Sequence, residues 1–89
     1  MISPAELFNS VVHAADVSPL LGPGTIRRAL WDVGARAETA AAADYRRALP
    51  RIDARLRAYL DHAKVGESMQ RIRNVVDEVD LGARTGGGR

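Results

Sequence analysis

Residues 44–60 read DYRRALPRIDARLRAYL, and the fold turns on how this stretch is read. It holds both tyrosines, Tyr45 and Tyr59, and five of the thirteen basic residues. Downstream of Pro50, the residues Ile52, Leu56, Tyr59, Leu60 and Ala63 recur at about 100° per residue, which puts them on one face of a helix. Pro50 is the difficulty. Inside a helix, proline removes a hydrogen-bond donor and its ring clashes with the preceding turn. It also steers Leu49 away from helical geometry. At the first position of a helix the same residue is unstrained. The sequence therefore predicts two helices, 40–49 and 50–62, meeting at a corner, in preference to one kinked helix.

The flanking segments supply helices to pack against that pair. Ser3 is placed to cap a first helix over 4–14, with Pro4 at its first position and Glu6 completing a capping box. Leu7, Phe8, Val11, Val12 and Ala15 form its apolar face. Ser18-Pro19 is expected to open a single turn that carries Val17, Leu20 and Leu21 into the core, and Gly22-Pro23-Gly24 to break the chain. A phosphate-binding loop is excluded there, because the Gly-Lys-Ser/Thr ending is missing. Thr25 caps a second helix over 25–33, with Ile26, Ala29, Leu30 and Val33 buried and Gly34 as its left-handed stop. Trp31 lies off the centre of that stripe, either at the core edge or as an exposed anchor. Thr39 caps the 40–49 helix, and the alanine run after it favours helix. Lys64-Val65-Gly66 reads as a break. A last helix over 67–81 buries Met69, Ile72, Val76 and Val79, with Val75 beside them, and Gly82 stops it. The expected architecture is all-α: a compact bundle of four to five short helices packed around the 50–62 helix. Residues 1–82 form one domain and 83–89 a flexible Gly/Arg tail.

Composition narrows the function. The chain has 89 residues and no cysteine, so disulfide frameworks and thiolate chemistry are out. No signal-peptide pattern opens the chain and no apolar run reaches bilayer length, which predicts a cytoplasmic protein with no membrane partner. Twelve of the thirteen basic residues are arginine, as expected of a GC-rich bacterial genome. Net charge is +2, yet residues 46–73 carry +5 between segments of −2 and −1.

Site chemistry is sparse. His13 and His62 stand about fifty residues apart. No histidine or carboxylate pair has helical metal-ligand spacing. The serines match no nucleophile elbow. Neither catalysis, metal nor cofactor is expected. What remains is a sorting of charge on the 50–62 helix. Asp53, Arg57 and Asp61 recur every fourth residue and neutralise one another. Arg51 and Arg55, extended upstream by Arg47, have no carboxylate at that spacing and are expected to form a free basic flank. The sequence thus predicts a non-catalytic regulatory or adaptor module that binds another protein, as a monomer or homodimer. Arg47, Arg51 and Arg55 would make the electrostatic contacts, and Trp31 would be an apolar anchor. The alternative is a DNA-binding transcriptional regulator or nucleoid-associated protein using the same arginines on phosphates. In that case 25–33 and 40–49 would form a helix-turn-helix that offers Tyr45, Arg46 and Arg47 to bases.

Overall fold

The structure, a computed structural model, describes the backbone of residues 2–87 and the side chains of residues 2–82. It is all-helical among the described residues, with four helices: α1 (Pro4–Ala15), α2 (Gly22–Asp32), α3 (Ala42–Leu56) and α4 (His62–Gly87). α1 packs on α2 and α4, and α3 packs on α2 and α4, which closes the four around one core. The molecule measures 43 × 24 × 20 Å. Its long dimension matches α4, whose 26 residues span about 39 Å at the helical rise.

α1 starts as its sequence dictates. The Glu6 amide donates to Ser3 Oγ at 3.2 Å, and the Ser3 amide donates to Glu6 Oε1 at 3.2 Å. α2 begins three residues before the expected cap. Gly22-Pro23-Gly24 is its first turn, where proline's missing donor is not needed. Gly22 is buried, and a Cβ there would meet Val12 Cγ1 at 3.3 Å, so the glycine lets α1 and α2 approach. Thr25 is no cap: its hydroxyl donates back to the Leu21 carbonyl at 2.8 Å, inside the helix. The α2 stop is as read. Gly34 has φ +78, its amide donates to the Trp31 carbonyl at 3.0 Å, and the Ala35 amide reaches Leu30 O at 2.9 Å. These are the two hydrogen bonds of a Schellman ending.

Pro50 does not make a corner. α3 runs continuously through it. The reason is the buried stripe: Tyr45, Ala48, Ile52 and Leu56 are all 0% exposed and lie on both sides of the proline. Only an unbroken helix puts all four on one face. Pro50 itself is exposed. The carbonyl of Arg46, deprived of its donor, therefore lies on the solvent side of α3. Because α3 ends at Leu56, the expected 50–62 helix does not exist, and the bundle is not centred on it. Tyr59 is 45% exposed in the following turn and Ala63 is exposed on α4.

Four other expectations are corrected. Of the alanine run 40–43 only Ala42 and Ala43 are helical. Ala35, Ala37 and Ala40 are buried in the connection, and Thr39 sits in a turn closed by the Arg36 carbonyl. α3 starts two residues later than expected, where the Ala41 amide donates to Asp44 Oδ2 at 2.8 Å. Leu20 and Leu21 are not carried inward; they are 92% and 41% exposed, and only Val17 of that turn is half-buried. Lys64-Val65-Gly66 is no break either. Asp61 accepts the Lys64 amide at 2.9 Å at the head of α4, and Val65 is buried. Gly82 does not end α4, whose span reaches Gly87; of the expected tail, residues 88–89 lie outside the described residues.

Candidate functional site

Arg47 and Arg55 of α3 both reach the C-terminal end of α2, whose last turn carries Trp31, and Arg51 lies between them in the chain. Arg47, Arg51 and Arg55 stand four residues apart, on one line along α3. Arg47 Nη1 donates to the Val33 carbonyl at 3.0 Å, and its other terminal nitrogen pairs with Asp44. Arg55 takes Asp32 in a fork, with Nε and Nη2 each 3.0 Å from a carboxylate oxygen. The two outer arginines thus bracket the end of α2. A helix C-terminus carries partial negative charge, so cations are favoured there.

The flank expected to be free is therefore largely occupied. Arg47 and Arg55 are held within the chain, and only Arg51 makes no hydrogen bond or ion pair with a described residue. Sequence spacing could have disclosed the Arg47 pair, which is an i,i+3 contact with Asp44. It could not disclose Asp32, which lies 23 residues from Arg55 and arrives only through the tertiary fold. Trp31, the residue before Asp32, is 59% exposed. It is an outward-facing aromatic in the last turn of α2, not a core-edge residue.

Electrostatics around the corner follow from these contacts. The amide of Ala41 and the guanidinium of Arg47 hold the Asp44 carboxyl below its ordinary pKa, against a smaller opposing effect of burial. On the opposite flank, Arg46 bridges α3 to α4 through Asp77 at 2.7 Å and Asp80 at 3.1 Å, and these carboxylates raise its pKa. Arg57 pairs with Asp53 at 2.6 Å, as the charge ladder predicts. Asp61 leaves that ladder to cap α4. The side chains assigned to a recognition helix are thus committed elsewhere. Tyr45 is 0% exposed, Arg46 is bound to two carboxylates, and Arg47 is bound to Asp44 and Val33.

Sequence reasoning missed a second polar joint. Buried Ser68 on α4 donates to the Ala15 carbonyl at 2.7 Å, and Arg71 Nε donates to the Ala14 carbonyl at 2.7 Å. Arg71 also reaches Ser68 Oγ at 3.1 Å. Together they satisfy the last carbonyls of α1, which a helix end leaves without internal partners. No local spacing signals this joint, because the partners are 53 and 57 residues apart.

Among the described residues no group of three or more His, Cys, Asp or Glu side chains could hold a metal ion, and no helix is long and apolar enough to cross a membrane. Comparison with protein-family models, with curated proteins and with solved structures gives no match to this chain.

Proposed function

We propose that the protein is a non-catalytic regulatory or adaptor module that binds another protein at the α2–α3 corner. One observation carries the reading. The sole tryptophan, Trp31, is 59% exposed, the residue after it, Asp32, is held by Arg55, and Arg51 of the same arginine line forms no hydrogen bond or ion pair with a described residue. Tryptophan and arginine are the residue types most enriched at interface hot spots. Arg47 and Arg55 serve as the frame, holding α2 and α3 in register. Arg51 and Trp31 are the contact groups.

The nucleic-acid reading draws less support, because most of the arginines it needs are neutralised by carboxylates on the same chain. One experiment separates the two. The purified protein is used to capture partners from cell extract, and the captured protein is then purified and titrated directly. Wild type is expected to bind it, with Trp31→Ala and Arg51→Ala each weakening binding by roughly tenfold or more. Unchanged affinity in both variants sinks the proposal. Retention of random duplex DNA that collapses steeply with added salt favours phosphate contacts instead.

A further inference from the structure

We propose that the whole outward face of α2, from Leu20 and Leu21 through Arg28 to Trp31, is a docking surface for an acidic amphipathic helix of a partner protein. This rests on the protein-binding reading above and extends it from one corner to a helix face. Leu21, Gly24, Arg28 and Trp31 recur at i, i+3, i+7 and i+10, which aligns them on one side. Ile26, Ala29 and Leu30 on the other side are 0% exposed. From Leu21 to Trp31 the stripe runs about 15 Å.

Its far end is built, not frayed. Ser18 Oγ accepts the Leu20 amide at 3.2 Å, and the Ser18 carbonyl accepts the amides of Leu21 and Gly22 at 2.9 and 2.8 Å. That turn holds Leu20 outward at 92% exposure, with Leu21 at 41%. Exposed apolar groups clustered in this way mark interaction surfaces more often than single ones do. Gly24 places no side chain between the two ends. The nearest atom to a Cβ built there is Arg28 Nη1 at 3.9 Å, so the guanidinium lies over the gap. What covers the glycine is therefore a cation, which meets a partner's carboxylate there.

Charge selects the partner. Arg28 and Arg51 form no ion pair with a described residue, and the carboxylate at the edge of the face, Asp32, is already taken by Arg55. On this face Arg28 therefore presents unmatched positive charge between the two apolar ends, and Arg51 adds a cation on the neighbouring α3. A helix with carboxylates in its middle and apolar side chains about three turns apart satisfies both. A phosphate backbone leaves Leu20 and Trp31 against polar groups. A bilayer favours apolar groups at the tip with cations around the rim, the reverse of this order.

The test is a selection from random peptides of about 16 residues, about 24 Å long when helical, on the full chain. Binding is read from the emission of Trp31. Binders are expected to be rich in Asp and Glu, with Leu or Phe at helical spacing, and to shift the emission to the blue. Arg28→Glu and Leu20→Ser, checked for unchanged helicity, are each expected to weaken them by roughly tenfold or more. No acidic helical consensus, or binders indifferent to both variants, overturns the proposal. If such binders still lose affinity to Arg51→Ala, or to Trp31→Ala with binding read by calorimetry because the variant has no tryptophan, the corner reading stands and the extended face falls. An emission shift with phosphatidylserine vesicles or duplex DNA, and with no peptide, overturns it in favour of a lipid or nucleic-acid partner.

Discussion

Arg55 grips Asp32 through two parallel hydrogen bonds of 3.0 Å, tying the last residue of α2 to the C-terminal half of α3. The fork is the strong geometry for an arginine–carboxylate pair. Its side chains are 37% and 29% exposed, so water screens part of the attraction. A double-mutant cycle of Arg55→Ala and Asp32→Ala, followed by urea unfolding, is expected to give a coupling of about 0.5–1 kcal/mol that shrinks in high salt. Arg51→Ala, which removes no hydrogen bond or ion pair with a described residue, is expected to change stability by less than about 0.5 kcal/mol. Fully additive effects of the first pair refute a structural role for the fork.

Tyr45 gives a second expectation. Its ring fills the core at 0% exposure, yet its hydroxyl has no hydrogen-bond partner among the described residues. An unpaired buried hydroxyl costs desolvation without return, so Tyr45→Phe is expected to be neutral or stabilising by up to about 1–2 kcal/mol. Tyr45→Ala is expected to cost about 3–5 kcal/mol through the cavity it leaves. Burial, reinforced by the charge of Asp44, pushes the phenol's pKa above its ordinary value of 10.0. The folded chain thus keeps a proton that the unfolded chain releases. Stability from this group is complete below about pH 10 and drains away as pH rises further. Unfolding midpoints measured across that range are expected to fall less steeply in Tyr45→Phe than in wild type; equal slopes reject the assignment.

These two residues also show what could be read from the chain. Ser3, Pro4, Glu6 and Gly34 act through neighbours within a few positions, so the ends they set were legible. The stripe Tyr45, Ala48, Ile52, Leu56 is also present in the sequence, but the local rule about Pro50 argues against the pattern that crosses it. Tertiary burial outranks such a rule when the proline faces water. The alanine run 40–43 misleads only at its start. Helix propensity is local, whereas Ala40 is buried in the connection, outside α3, and only Ala42 and Ala43 are helical. Spacing shows Arg47 and Arg55 as one line on α3 but not that both reach the end of α2. The carboxylate that occupies Arg55 comes from another helix and leaves no trace in spacing.

Ser68 offers a third test, at the joint between α4 and the end of α1. Its buried hydroxyl donates to the Ala15 carbonyl, and Arg71 donates to Ala14. Ser68→Ala leaves that carbonyl short of a donor and is expected to cost about 1–3 kcal/mol. Amide hydrogen exchange is expected to quicken most in the last turn of α1. A loss of protection spread evenly over all four helices contradicts the assigned role.

Pro50 supplies the last and sharpest expectation. It sits within α3, exposed, where its ring denies the Arg46 carbonyl a donor. Alanine in a helix interior is favoured over proline by about 3 kcal/mol. Part of that gain is offset, because proline also restricts the unfolded chain, by about 0.4–1 kcal/mol. Pro50→Ala is therefore expected to raise stability by about 2–2.6 kcal/mol, read from the urea midpoint at unchanged slope. The direction of the effect is decisive. If Pro50→Ala destabilises, the proline sets a bend in α3 that its packing requires. In that case the line Arg47–Arg51–Arg55, which crosses position 50, owes its bracketing of α2 to the same bend, and contacts of Arg47 with Val33 and Arg55 with Asp32 loosen together in the variant.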